Sequence, residues 1–132
     1  MNRSDHSRIG RVIEKHYPEV FNEVLRLTKE EMYDTGLIAG MYAHYRETYA
    51  IDRWAHKRLF IAAILKMYCP ETLHYGLFVK NRICSILAEE LGFKERQSIS
   101  NLIPDIRVNM KIASFKLQVD ELCEALKTLI DG

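Results

Sequence analysis

The chain has 132 residues, enough for one domain that buries its own core without disulfide or metal staples. Hydrophobic residues make up 48% and charged residues 28%, with a formal net charge of +1, so the composition is that of a globular protein and selects neither an acidic nor a basic partner. Cys69, Cys84 and Cys123 are odd in number, widely spaced and without a CxxC pair, which argues against a disulfide framework and a cysteine-rich zinc site and fits a reducing cytoplasm.

The stretch from Met1 to His6 leads into charged, amphipathic sequence, and no run reaches the roughly 18 apolar residues that a spanning helix needs, so neither a signal peptide nor a membrane span is expected. Apolar residues recur every three or four positions, and no alternating run is bounded by turn signals. These patterns predict an all-α protein: one domain over 1–132, a compact bundle of about five to six helices.

Ser4 or Asp5 is positioned to cap a first helix carrying Ile9, Val12, Ile13 and His16. Pro18 then marks either a kink or the first turn of a second helix with Val20, Phe21, Val24 and Leu27. Asp34-Thr35-Gly36 reads as a break, followed by helical periodicity from Leu37 to Tyr49. Asp52 is a candidate cap for a helix from Arg53 to Tyr68, whose Trp54, Leu59, Phe60, Ala63, Ile64 and Met67 predict the central core helix, ended by Cys69-Pro70. Residues 77–91 are expected to form another helix with Ile83, Ile86, Leu87 and Leu91 inward, closed by Gly92 in the left-handed conformation.

The last helix is predicted from about Asp105 to Ile130. Val108, Ile112, Phe115, Val119, Leu122, Leu126 and Leu129 give it a heptad-like seam. Two readings of that seam stay open: a homodimer interface with a second copy, or a stripe buried in the chain's own bundle.

The segment from Ile83 to Ile103 reads as helix, turn, helix, within a helix-turn-helix at about 80–112. Ala88 supplies the small residue where two helices cross, Gly92 the turn glycine, and Ile99 with Leu102 or Ile103 the anchors of the second helix. The spacing of Ala88, Leu91, Gly92, Phe93, Ser98 and Ser100 resembles the second helix-turn-helix of AraC-type transcription regulators over about twenty residues. The family's usual phenylalanine in the second helix is Ile99 here, and Pro104 follows soon after. The layout from Leu102 to Lys111, running into a long C-terminal helix, also resembles small RteC-type regulators of bacterial mobile elements.

The resemblance implies a small transcriptional regulator of double-stranded DNA, with the second helix in the major groove. Arg96, Gln97, Ser98, Ser100 and Asn101 are then the candidates for base edges, and Lys94, Arg107 and Lys111 for phosphates. Regional charge agrees: residues 79–116 hold seven Lys/Arg against four Asp/Glu, a balance of +3, and residues 117–132 one against four, a balance of −3. Proline in a helix interior costs about 3 kcal/mol, so Pro104 is expected to limit the recognition helix to two turns and to restart the chain as the last helix.

Tyr42, Tyr45, Arg46 and Tyr49, followed by Arg53, Trp54, Lys57 and Arg58, offer two readings: a stacking platform for single-stranded nucleic acid or a protein, or ordinary core. The five histidines show no ligand spacing, and Asp52 with His56 reads as a surface pair. No nucleophile elbow, phosphate-cradling loop or Cys/His motif occurs, so neither enzymatic activity nor a cofactor is expected. The alternative to DNA binding is a helical protein-interaction module that dimerises or docks a partner through its C-terminal helix.

Overall fold

The computed structural model describes residues 2–49, 54–80 and 82–131. The fold is all-α: helices account for 82% of the chain, and no strand occurs among the described residues. In chain order the helices are α1 (Arg3–His16), α2 (Pro18–Thr28), α3 (Ile38–Thr48), α4 (Trp54–Tyr68), α5 (Pro70–Tyr75), α6 (Ile83–Leu91), α7 (Arg96–Asn109) and α8 (Ala113–Asp131). A short 3-10 turn, Thr35–Leu37, leads into α3.

Local chemistry explains most of the boundaries. Asn2, rather than Ser4 or Asp5, is the N-cap of α1. Its side chain accepts from the Asp5 backbone N–H, while the Asp5 carboxylate accepts from the Asn2 N–H, a reciprocal capping box. Pro18 takes the first turn of α2, where its missing N–H has no helical partner to lose. The Asp34 carboxylate accepts from the Gly36 N–H and sets the turn before α3. The expected cap at Asp52 and start at Arg53 lie outside the described residues, as does the Asp52 half of the pair with His56.

The core is built around α4. Phe60, Ile61, Ala62, Ala63, Ile64 and Leu65 are all fully buried, so this helix is enclosed on every side, as a central helix must be. Tyr42 and Tyr45 pack on Phe60 with ring centroids 5.0 and 5.3 Å apart, and the Tyr45 hydroxyl donates to the His56 carbonyl at 2.9 Å. These two tyrosines are therefore core, whereas Tyr49 and Trp54 stay exposed. Val119, Leu122, Cys123 and Leu126 of α8 are buried, and α8 packs principally against α4. The Lys66–Asp120 ion pair and the Cys123 thiol, which donates to the Ala63 carbonyl, tie the two helices together. All three cysteines are buried and unpaired.

Two expected helices are corrected, and one short helix is added. The predicted helix over 77–91 begins only at Ile83; residues 77–80 are irregular, and Arg82 sits in the left-handed region with φ of 60°. Cys69-Pro70 ends α4 as expected, but Pro70 also opens the short α5, closed by Gly76 at φ of 71°. The predicted single helix from Asp105 to Ile130 is two helices. Pro104 lies inside α7, and the break falls later, where Lys111 and Ile112 donate to Val108 and Asn109 in tight turns.

That break divides the heptad-like seam. Val119, Leu122 and Leu126 face α4, and Phe115 packs partly against the core. Val108 and Ile112 lie before α8 and are 59% and 52% exposed, and Leu129 is exposed near the C-terminal end of α8. The seven residues therefore form no continuous surface, and the centre of the seam is intramolecular core.

Candidate nucleic-acid interface

Helices α6 and α7 form the expected hairpin. Ile83, Leu87, Ala88 and Leu91 of α6 are buried, and the small Ala88 lets α7 approach. Gly92 adopts φ of 81°, which lets its own N–H donate to the Glu89 carbonyl and the next N–H, of Phe93, donate to the Ala88 carbonyl at 2.8 Å. This left-handed glycine closes α6 and turns the chain toward α7. Phe93 is held edge-on to Trp54, with the Lys57 ammonium 5.3 Å above its ring, and Lys57 also donates to the Leu91 carbonyl. The turn is thereby fixed to α4.

Ile99, Leu102, Ile103 and Ile106 anchor the inner face of α7. Pro104 is exposed, and α7 continues through it to Asn109. The helix is thus 14 residues long rather than two turns. The Glu95 N-cap makes no side-chain hydrogen bond to the helix.

Lys94, Arg96, Gln97, Asn101 and Lys111 are exposed. On α7, Gln97 and Asn101 share one face, and the Gln97 amide donates to the Asn101 side-chain oxygen at 2.9 Å. Two amides already oriented by each other present both donors and acceptors outward. Ser98 is half-buried at the start of the helix. Ser100 is also half-buried and turns toward α6, its hydroxyl 3.6 Å from the Cys84 sulfur.

Arg107 stands apart from the other candidates. Its guanidinium donates to the carbonyls of Leu73 and His74 at 3.2 and 3.4 Å, closing the C-terminal end of α5. Its first task is therefore structural, at the junction of α5 and α7. The surroundings are mixed in charge: Glu95 and Asp105 are exposed on α7 and its cap, and Asp105 lies 3.6 Å from the Arg58 guanidinium. Arg58 also donates to Asn109 and lies over the Trp54 ring.

Sequence reasoning passed over Arg82, Phe78 and Thr72. Arg82 is exposed, Phe78 is 97% exposed, and Thr72 is 1% exposed with a hydroxyl that has no hydrogen-bond partner among the described residues. The segment 77–91 reads by periodicity as one helix, and that reading hides the loop which brings Phe78 and Arg82 beside α7. No group of three or more potential metal ligands occurs among the described residues, and no described helix is long and apolar enough to cross a membrane. The chain matches no family model, no curated protein and no solved structure.

Proposed function

We propose that the protein binds double-stranded DNA through the α6–α7 hairpin and acts as a small transcriptional regulator. The observation that carries this reading is the two-sided character of α7: an apolar inner face locked onto the core, and an outer face that begins with Arg96 and Gln97 and continues to Asn101. A helix that reads a major groove needs rigid support behind and polar, unobstructed residues in its first turns. Arginine can take guanine O6 and N7 together, and a side-chain amide can do the same for adenine N6 and N7, each pairing giving about 1–3 kcal/mol of discrimination. Lys94 before the helix and Lys111 after it stand at opposite ends of α7, suited to phosphates on either side of the groove.

The test is a fluorescence-anisotropy titration with mixed-sequence duplex DNA at several salt concentrations. Affinity should fall steeply as salt rises, because each neutralised phosphate releases counterions. Arg96→Ala combined with Gln97→Ala should abolish sequence preference while leaving the helical circular-dichroism spectrum intact. Absence of duplex binding at low salt would sink the reading.

The alternative, a protein-interaction module using the C-terminal helix, loses its surface where Val119, Leu122 and Leu126 enter the core.

A further inference from the structure

A cavity of about 610 Å³ opens between the α5–α6 connection and α7. That is within the range of about 300–1,000 Å³ typical of small-molecule pockets. Its apolar lining includes Leu77, Val79 and Ile103, and Phe78 stands at its rim. Its lining includes three arginines, Arg82, Arg96 and Arg107, and no acidic side chain among the described residues.

The three guanidinium groups differ in what they already hold. Arg107 is engaged by the α5 carbonyls. Arg82 and Arg96 have no ion-pair or hydrogen-bond partner among the described residues. Arg82 departs from the norm in its backbone, since it occupies the left-handed region without being Gly, Asn or Asp. A glycine there would relax the backbone but lose the guanidinium.

We propose that this cavity binds a small amphipathic oxyanion, its phosphate or carboxylate head held by Arg82 and Arg96 and its apolar body on Val79 and Ile103 beside Phe78. Two guanidinium forks in a lining that holds no acidic side chain suit a head group with several acceptor oxygens. The site shares Arg96 with the proposed reading face, but Arg82 lies outside that face and separates the two assignments.

The test is isothermal titration of the intact chain with phenyl phosphate, with inorganic phosphate and phenol as separate controls for head and body. Saturable binding of one phenyl phosphate per chain is expected, at least tenfold tighter than either control. Arg82→Gly and Arg96→Ala should each weaken it at least fivefold. Absence of saturable binding, or unchanged affinity in either variant, overturns the proposal. Arg82→Gly is conformationally the safest variant, since glycine adopts this backbone freely, so loss of binding there is not loss of fold. No DNA enters this titration, so its failure leaves the duplex-binding reading standing, and the converse holds.

Discussion

Gly76 and Gly92 both close helices at positive φ, yet they differ in what surrounds them. A Cβ at Gly92 would meet nothing within 4 Å, whereas one at Gly76 would lie 2.5 Å from an Arg107 guanidinium nitrogen. Gly92→Ala therefore costs only the left-handed penalty, about 1–2 kcal/mol. Gly76→Ala must in addition displace the arginine that caps α5. Chemical denaturation of the two variants should show the larger loss for Gly76→Ala, and equal losses would show that the Arg107 contacts contribute nothing. His74, beside this junction, is held below its ordinary pKa by desolvation first and then by Lys116, Lys66, Arg26 and Arg107. A histidine with a depressed folded-state pKa adds stability above its unfolded pKa, and that stability is lost as pH falls, because the unfolded chain takes up the proton more readily. Stability should decline between about pH 7 and pH 5, and His74→Gln should flatten that part of the profile.

Among the elements, the readable signals are those whose cause is local. Pro18, Asp34, Gly92 and the apolar run of α4 each act within a turn or so of sequence, and each marks a feature found in the structure. The α7–α8 boundary has no such local cause, for Met110, Lys111 and Ile112 include neither glycine nor proline. It exists because α7 buries Ile99, Ile103 and Ile106 beside α6 while α8 must lay Val119, Leu122 and Leu126 on α4, and one straight helix cannot serve both. The same logic explains the misread proline: the anchors of α7 continue past Pro104 to Ile106, and tertiary packing outweighs the local penalty. Of the candidate site, Arg96, Gln97 and Asn101 are legible because they open a helix after a glycine turn. Arg82 and Thr72 belong to a cavity made by a loop and three helices, which no periodicity reveals. Pro104→Ala should stabilise the chain by up to ~3 kcal/mol, since it restores a helical N–H on an exposed face. Leu122→Ala should cost about 2–5 kcal/mol and Leu129→Ala far less, which thermal denaturation would separate.

At the scale of the whole molecule, cohesion is uneven. Helices α1 and α2 contain no buried residue, and Ile9, Val12, Val20, Val24 and Leu25 are exposed. The principal partner of α1 is α2, and α2 in turn leans on α5. Native-state hydrogen exchange should therefore find α1 amides opening well before those of α4, whose protection approaches the global value. Equal protection in the two helices would contradict this gradient.

The three buried thiols turn that unevenness into something chemically readable. Cys84 sits on α6 within the candidate reading head, Cys69 at the junction of α4 and α5, and Cys123 on the α8 face that covers α4. Burial pushes the Cys123 thiol up to about 12, so it holds almost no thiolate at neutral pH while the fold is closed. A thiol reagent added to the native protein thus acts as three clocks at three depths, each started only by the opening of its own neighbourhood. Cys84, the least deeply buried of the three, should be modified first, and the interval before Cys123 follows measures how far the reading head can loosen while the α4–α8 pair remains shut.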